Sequence, residues 1–150
     1  MENFRIEKDS MGELQVPKGA LYAAQTQRAI NNFPVSGQQM PKAFVKALLL
    51  AKYSAAKANS ELAQISTAMG SAICQAIDTL LQDDFMQHFS VDVFQTGSGT
   101  SSNMNANEVL ATLATKNFGD NVGANDHINY GQRSNDIITT MIHISAAMKE

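Results

Sequence analysis

A mainly α fold is what this sequence predicts, on three observations. Apolar residues recur at three- and four-residue spacing in several long segments. Helix start and stop residues flank those segments. Strand signals are poor, with only Val91-Asp92-Val93-Phe94 and Gln15-Val16 as candidates. The chain has 150 residues, 44% hydrophobic and 17% charged, which is the composition of a globular protein with room for one real core.

In chain order, a short helix is expected over Ala20 to Asn31. Pro41 to Leu62 carries Phe44, Leu48, Ala51, Ala55 and Leu62 on one helical face, with Lys42, Lys46 and Lys57 elsewhere. Pro41 suits a first turn, where its missing N–H costs nothing. Ser66 reads as the N-cap of a helix bearing Met69, Ile73, Ala76, Ile77 and Leu80, slightly weakened by Gly70. A third long helix should start near Ser101 and stop before Gly119, a natural C-cap residue. A fourth should start near Ser134, with Ile137, Met141, Ile144 and Met148 in one stripe. That stripe implies a partner surface, and with none supplied by this chain it predicts self-association or poor solubility. The last helix runs to Glu150 without turn chemistry, as expected for the front part of a longer protein.

The charge balance excludes some functions. A net charge of −3 without a basic patch argues against a nucleic-acid partner. Lys46, Lys52 and Tyr53 interrupt the best apolar run, which argues against a membrane span. Residues 1–10 are charged and lack an apolar signal region. The single Cys74 cannot form an internal disulfide, so cytoplasm is the simplest compartment and a buried structural thiol its simplest role. No Cys/His set has metal-ligand spacing.

The chemistry concentrates in two polar stretches. In DVFQTGSGTSSNMNANEV, residues 92 to 109, glycines allow close backbone approach, and Ser98, Thr100, Ser101 and Ser102 offer hydroxyl donors. The helix that follows turns its free N–H groups and positive dipole end towards the loop, a suitable place for a carboxylate or phosphate. The bland alternative is a capped helix start whose hydroxyls only satisfy backbone groups. It is neither a P-loop nor a dinucleotide-binding turn. Ser101, Asn105, Glu108, Thr112 and Lys116 share what should be the solvent face. Asn103 and Asn107 fall instead with Leu110 and Ala114, where an unbonded amide costs on the order of 1–3 kcal/mol. The second stretch, NVGANDHINYGQRSND, residues 121 to 136, is loop-like and opens the fourth helix at Ser134-Asn135-Asp136. Two such helix ends aimed at one place could grip both ends of a dicarboxylate. His127 is a tempting general base there, although a lone loop histidine beside Asp126 is more often structural. His88 and His143 carry no such signal.

These stretches resemble a known family. TGSGTSSNMNANEV (96–109), DSMGELQVPKGALYAAQTQRAINNFP (9–34) and NDHIN followed by GQRSND (125–136) resemble landmarks of class II fumarases, in the fumarase/aspartase superfamily. The resemblance implies an N-terminal helical domain over 1–132, with the first helix of the family's central helical bundle starting at 133. It implies reversible hydration of fumarate to (S)-malate without metal or organic cofactor, in a homotetramer whose sites are built from three subunits. Matched position by position, Ser98, Gly99, Thr100, Arg133, Ser134 and Asn135 would contact substrate. Gly123, Ala124, Asn125 and Asp126 would match a secondary dicarboxylate site. The chain departs from the pattern at Gly123-Ala124, where the family has His-Pro, at Arg133 in place of Ser, and at Thr139 in place of Pro. Arg133 could bind a carboxylate bidentately, but its bulk points rather to a filled pocket. The catalytic histidine and the mobile Gly-Ser-Ser loop would lie beyond residue 150, so no residue here is expected to be catalytic and the chain alone should be inactive. Alternatives are a non-catalytic helical fragment that associates with full-length subunits, and the N-terminal part of an aspartate ammonia-lyase.

Overall fold

The computed structural model describes residues 3–148. A β-hairpin of β1 (Phe4–Asp9) and β2 (Gly12–Pro17) leads into α1 (Ala24–Asn32). Three long helices follow, α2 (Lys42–Glu61), α3 (Thr67–Gln82) and α4 (Thr100–Phe118), and then α5 (Ser134–Ala147). The fold is mainly α, as predicted. Helix α3 packs against both α2 and α4, while α5 lies along α2 and touches α4 near its start.

The boundaries follow local chemistry. Ser66 Oγ accepts the Met69 N–H at 3.2 Å and so caps α3, as its sequence position implies. Gly119 ends α4 at φ +81°, a conformation that favours glycine. Pro41 sits at the N-cap of α2, one residue before its expected place. Gly70 does more than weaken α3. A Cβ there would lie 2.9 Å from Ser60 Cβ, so its bare backbone lets α2 and α3 approach closely.

Several expectations need correction. Val91–Phe94 is not a strand, and only Asp92 makes an isolated bridge, to Gln39. Asp92 is instead a loop staple. Its carboxylate accepts from Ser36 N, Gly37 N, Phe94 N and Ser36 Oγ at 2.7–2.9 Å. Gln15-Val16 does lie in a strand, but its partner β1 had no sequence signal, because its apolar Phe4 and Ile6 point to solvent while Arg5, Glu7 and Asp9 turn inward. Arg5 ties the hairpin to the following loop through Pro17 O, Ala20 O and Tyr22 O, and Arg28 of α1 grips Asp9 at 2.7 and 3.0 Å. On α2 the buried face includes Lys52 and excludes Leu62. The stripe on α5 has a partner after all. Met141 is fully buried, and Ile137 and Ile144 pack against the core beside α2, leaving Met148 exposed. Cys74 is only half-buried, and burial still pushes its thiol pKa up, consistent with an inert side chain.

The proposed solvent face of α4 is the largest correction. Ser101, Asn105 and Glu108 are buried, and of that face only Lys116 is exposed. The reason is that α4 is surrounded, and its polar side chains bond neighbouring backbone. Glu108 accepts from Ala23 N, Gln25 N and Thr26 N at 2.9–3.0 Å. It thereby supplies the start of α1, where no side-chain N-cap exists, with both acceptors and negative charge. Asn105 Nδ2 donates to His88 O, and Thr112 Oγ1 to Leu21 O.

Candidate functional site

The approach to α4 is a single 3-10 turn, Gly97–Gly99, in which Ser98 (φ +59°) and Gly99 (φ +68°) both adopt left-handed backbone. For Ser98 that conformation is strained, and strain of this kind concentrates at functional positions. Its Oγ donates to Gly97 O at 2.6 Å, and the residue is exposed, as is Thr100. Gln95 caps the helix from outside. Its Oε1 accepts Ser102 N at 2.8 Å, while its Nε2 donates to Ser102 Oγ and to Asp92 O, both at 2.9 Å.

The start of α5 lies directly against this turn. A Cβ on Gly99 would stand 2.9 Å from Ile138 Cγ1, so glycine is required there on both conformational and steric grounds. Asn103, in the first turn of α4, donates from Nδ2 to Ser134 Oγ at 3.3 Å, across to the first residue of α5. The structure therefore brings Ser98, Gly99, Thr100 and Ser134 to one region, with Arg133 and Asn135 exposed on either side of Ser134. Among the described residues Arg133 forms no ion pair.

Gly123, Ala124, Asn125 and Asp126 begin a separate feature, a single π-helical turn over Ala124–Ile128 that packs beside α4. Asn125 and Asp126 are exposed. His127 has a structural task, because its Nδ1 accepts the Gly123 N–H at 2.8 Å, which places the proton of the neutral ring on Nε2. Ala124 also lines an open cavity of about 420 Å³ with Glu108, Thr112 and Lys116. Among the described residues, no three His, Cys, Asp or Glu side chains gather where they could hold a metal ion. No helix among them is long and apolar enough to cross a membrane.

Sequence reasoning missed the residues beneath the helix ends. Lys52 Nζ donates to Gln132 Oε1 at 2.7 Å and to Asn129 Oδ1 at 3.0 Å. Asn129 Oδ1 also accepts from Asn103 Nδ2 at 3.1 Å. A signal was present: Lys52 is four residues from both Leu48 and Ala56, in the buried row of α2.

A central bundle of long helices bearing a polar knot where two helices begin is an architecture shared with known proteins. A family model described as "Lyase" matches residues 12–150, and the chain belongs to that lyase family. Within it the sequence is similar to class II fumarate hydratases. It is 68% identical over 149 residues to fumarate hydratase class II 2 of Pseudomonas aeruginosa, covering 99% of this chain and 32% of that protein. It is 49% identical to fumarate hydratase class II of Halobacterium salinarum, covering 97% of this chain and 32% of that one. The crystal structure of class II fumarase from Schistosoma mansoni superposes with a TM-score of 0.92 at 38% identity, over 97% of this chain and 32% of that one. A fumarate lyase:delta crystallin from Brucella melitensis gives 0.89 at 39% identity, over 96% and 34%. The chain thus spans about a third of the length of the relatives it matches.

Proposed function

We propose that the chain is the N-terminal part of a fumarate hydratase, with 1–132 as its N-terminal lyase domain and 133–150 opening a central helical bundle. The reaction would be reversible hydration of fumarate to (S)-malate, in a cytoplasmic homotetramer. The observation that carries this reading is the meeting of two helix starts through Asn103 and Ser134. N-terminal N–H groups and dipoles favour carboxylates, and hydroxyls and amides nearby add donors. Ser98, Gly99, Thr100, Ser134 and Asn135 form the grip, and the exposed Arg133 guanidinium, which has no ion pair among the described residues, serves one carboxylate rather than filling the pocket. Donors held in place before charge develops are what an addition through a doubly charged carboxylate needs. Gly123, Ala124, Asn125 and Asp126 form a secondary dicarboxylate contact. His127 is occupied by backbone, so the chain alone grips substrate without moving its proton, and the catalytic histidine and the Gly-Ser-Ser loop belong to the remainder of a complete subunit.

Calorimetric titration with fumarate, (S)-malate and acetate tests this. Saturable binding of the two dicarboxylates, weakened in Ser134→Ala, Asn135→Ala and Arg133→Ser, is expected, together with no conversion of malate at 240 nm. Failure of both dicarboxylates to bind, or acetate binding equally well, would overturn the proposal.

A further inference from the structure

Lys52 lies in the middle of α2 with 1% of its surface exposed. No carboxylate of the described residues pairs with it. Its two acceptors, Asn129 Oδ1 and Gln132 Oε1, are neutral. A buried ammonium without a counter-charge is costly, because neutral dipoles return only part of the lost hydration. The cation is also not isolated. Asn129 Oδ1 is shared with Asn103 Nδ2, and the same amide reaches Ser134 Oγ, so a continuous hydrogen-bonded chain runs from Lys52 to the first residue of α5. Asn103 Oδ1 is buried and has no hydrogen-bond partner among the described residues.

We propose that Lys52 is a positioning residue of the dicarboxylate site, a buried counter-charge that a bound dianion stabilises through Asn129, Asn103 and Ser134. This rests on the function proposed above. Burial alone lowers the Lys52 pKa, to about 7, so the free protein holds a mixture of ammonium and amine near neutrality. The titratable and charged groups on its own helix and on the elements packed around it are Lys42, Lys46, Tyr53, Lys57 and Glu61 on α2, Cys74 and Asp78 on α3, Glu108 and Lys116 on α4, Asp120, Asp126, His127, Tyr130 and Arg133 in the connecting segment, and Asp136 and His143 on α5. None of them bonds its Nζ. A dianion at the helix ends favours the ammonium, so binding draws a proton from solvent onto Lys52.

Calorimetry with fumarate at pH 7.5, in buffers of different ionisation enthalpy, reads that proton directly, since fumarate itself is fully ionised there. The wild-type chain should take up as much as about 0.8 proton per fumarate, the neutral fraction at that pH of a group with pKa about 7. Lys52→Met should abolish the uptake and weaken binding about tenfold or more, the scale of a buried charge interaction. Lys52→Arg, charged at every accessible pH, should keep the affinity without the uptake. Side-chain NMR titration of Lys52 in the wild-type chain needs no variant and should show its pKa rising when fumarate saturates the site. Saturable binding with no proton uptake, or uptake unchanged in Lys52→Met, or a Lys52 titration indifferent to fumarate, would overturn the role of Lys52 and leave the site standing. Absence of any fumarate binding would overturn the site reading and this inference with it.

Discussion

Lys52 also makes a prediction about stability that is independent of any ligand. Its pKa falls from an ordinary 10.5 to about 7 on folding, with burial as the cause. At about 1.4 kcal/mol per pKa unit, the folded state carries a penalty of roughly 4 kcal/mol at pH 7, where the group is half protonated. Protons set the sign. Between pH 7 and 10.5 the unfolded chain keeps a proton that the folded chain has released, so stability rises with pH through that window. Below the window both states are protonated and the penalty is full. From pH 7 to 8.5 the gain works out at about 1.5–2 kcal/mol. The range stops there because the raised thiol of Cys74 pulls the other way at higher pH. Lys52→Met removes the titrating group and keeps most of its packing. It leaves Gln132 Oε1 without its donor, at a cost on the order of 1–3 kcal/mol, while Asn129 Oδ1 keeps Asn103. Relief exceeds loss, so the variant should be the more stable protein at pH 7. Urea unfolding followed by circular dichroism, in half-unit steps from pH 7 to 8.5, tests both points. A wild-type stability that does not rise, or a variant that rises in parallel with it, refutes the reasoning.

Four other substitutions probe the scaffold. Glu108→Gln removes the charge that serves three N–H groups at the start of α1 and should cost about 2–3 kcal/mol, with faster hydrogen exchange at Ala23, Gln25 and Thr26; unchanged protection of those amides would count against the capping role. Burial pushes the Asp92 carboxyl up, but hydrogen bonds from Phe94 N, Ser36 N, Ser36 Oγ and Gly37 N outweigh it and hold the pKa at about 2. Its stabilisation is therefore complete above pH 3.8 and lost as pH falls through 2, so the deficit of Asp92→Asn at pH 5 should shrink on acidification, and a pH-independent deficit would refute this. Gly99→Ala should cost about 2–4 kcal/mol, because it combines positive φ with a clash at Ile138, whereas Gly119→Ala, with positive φ in open space, should cost about 1 kcal/mol; thermal melts giving equal losses would contradict the steric part.

The long helices were legible in the sequence because their caps and apolar spacing are local. Ser66 and Gly119 each act through bonds within a few residues, and each was placed correctly. Strand β1 was not legible, since its inward residues are the charged Arg5, Glu7 and Asp9; Arg5 and Asp9 find partners in the chain that follows, while Glu7 pairs back with Arg5. The same cause hid Glu108. A carboxylate at helical spacing from Ser101 and Thr112 reads as solvated, and nothing nearby in sequence shows that the uncapped start of α1 will be folded against it. The hydroxyls and glycines at 97–102 and the polar start at Ser134 were visible as helix starts. That they meet depends on Ile138 packing over Gly99, a contact between residues 39 apart in the chain.

The distribution of buried polar groups gives the lysine its significance. Asp92 and Glu108 are buried too, but each is answered by several backbone donors and stabilises the loops or helix it holds. Among the described residues Lys52 and Asn103 are answered incompletely, one lacking a counter-charge and the other an acceptor's partner, and both lie under the starts of α4 and α5. Stability alone would favour apolar residues of similar volume at such positions. Thr26 Oγ1 and Asn107 Oδ1 are also buried without a hydrogen-bond partner among the described residues, but neither carries a charge. A buried cation beneath the helix starts is intelligible if something binding there offsets its cost, and a dianion is the ligand whose charge would. On that account wild-type Lys52 should lose most of its folding penalty when the site is full. Fumarate at one saturating concentration should therefore raise the stability of the wild type more than that of Lys52→Met, by the ratio of their dissociation constants, about 1.4 kcal/mol for a tenfold difference. Equal stabilisation of the two at equal fumarate concentration would leave the buried lysine as a flaw in the core unrelated to the helix starts above it.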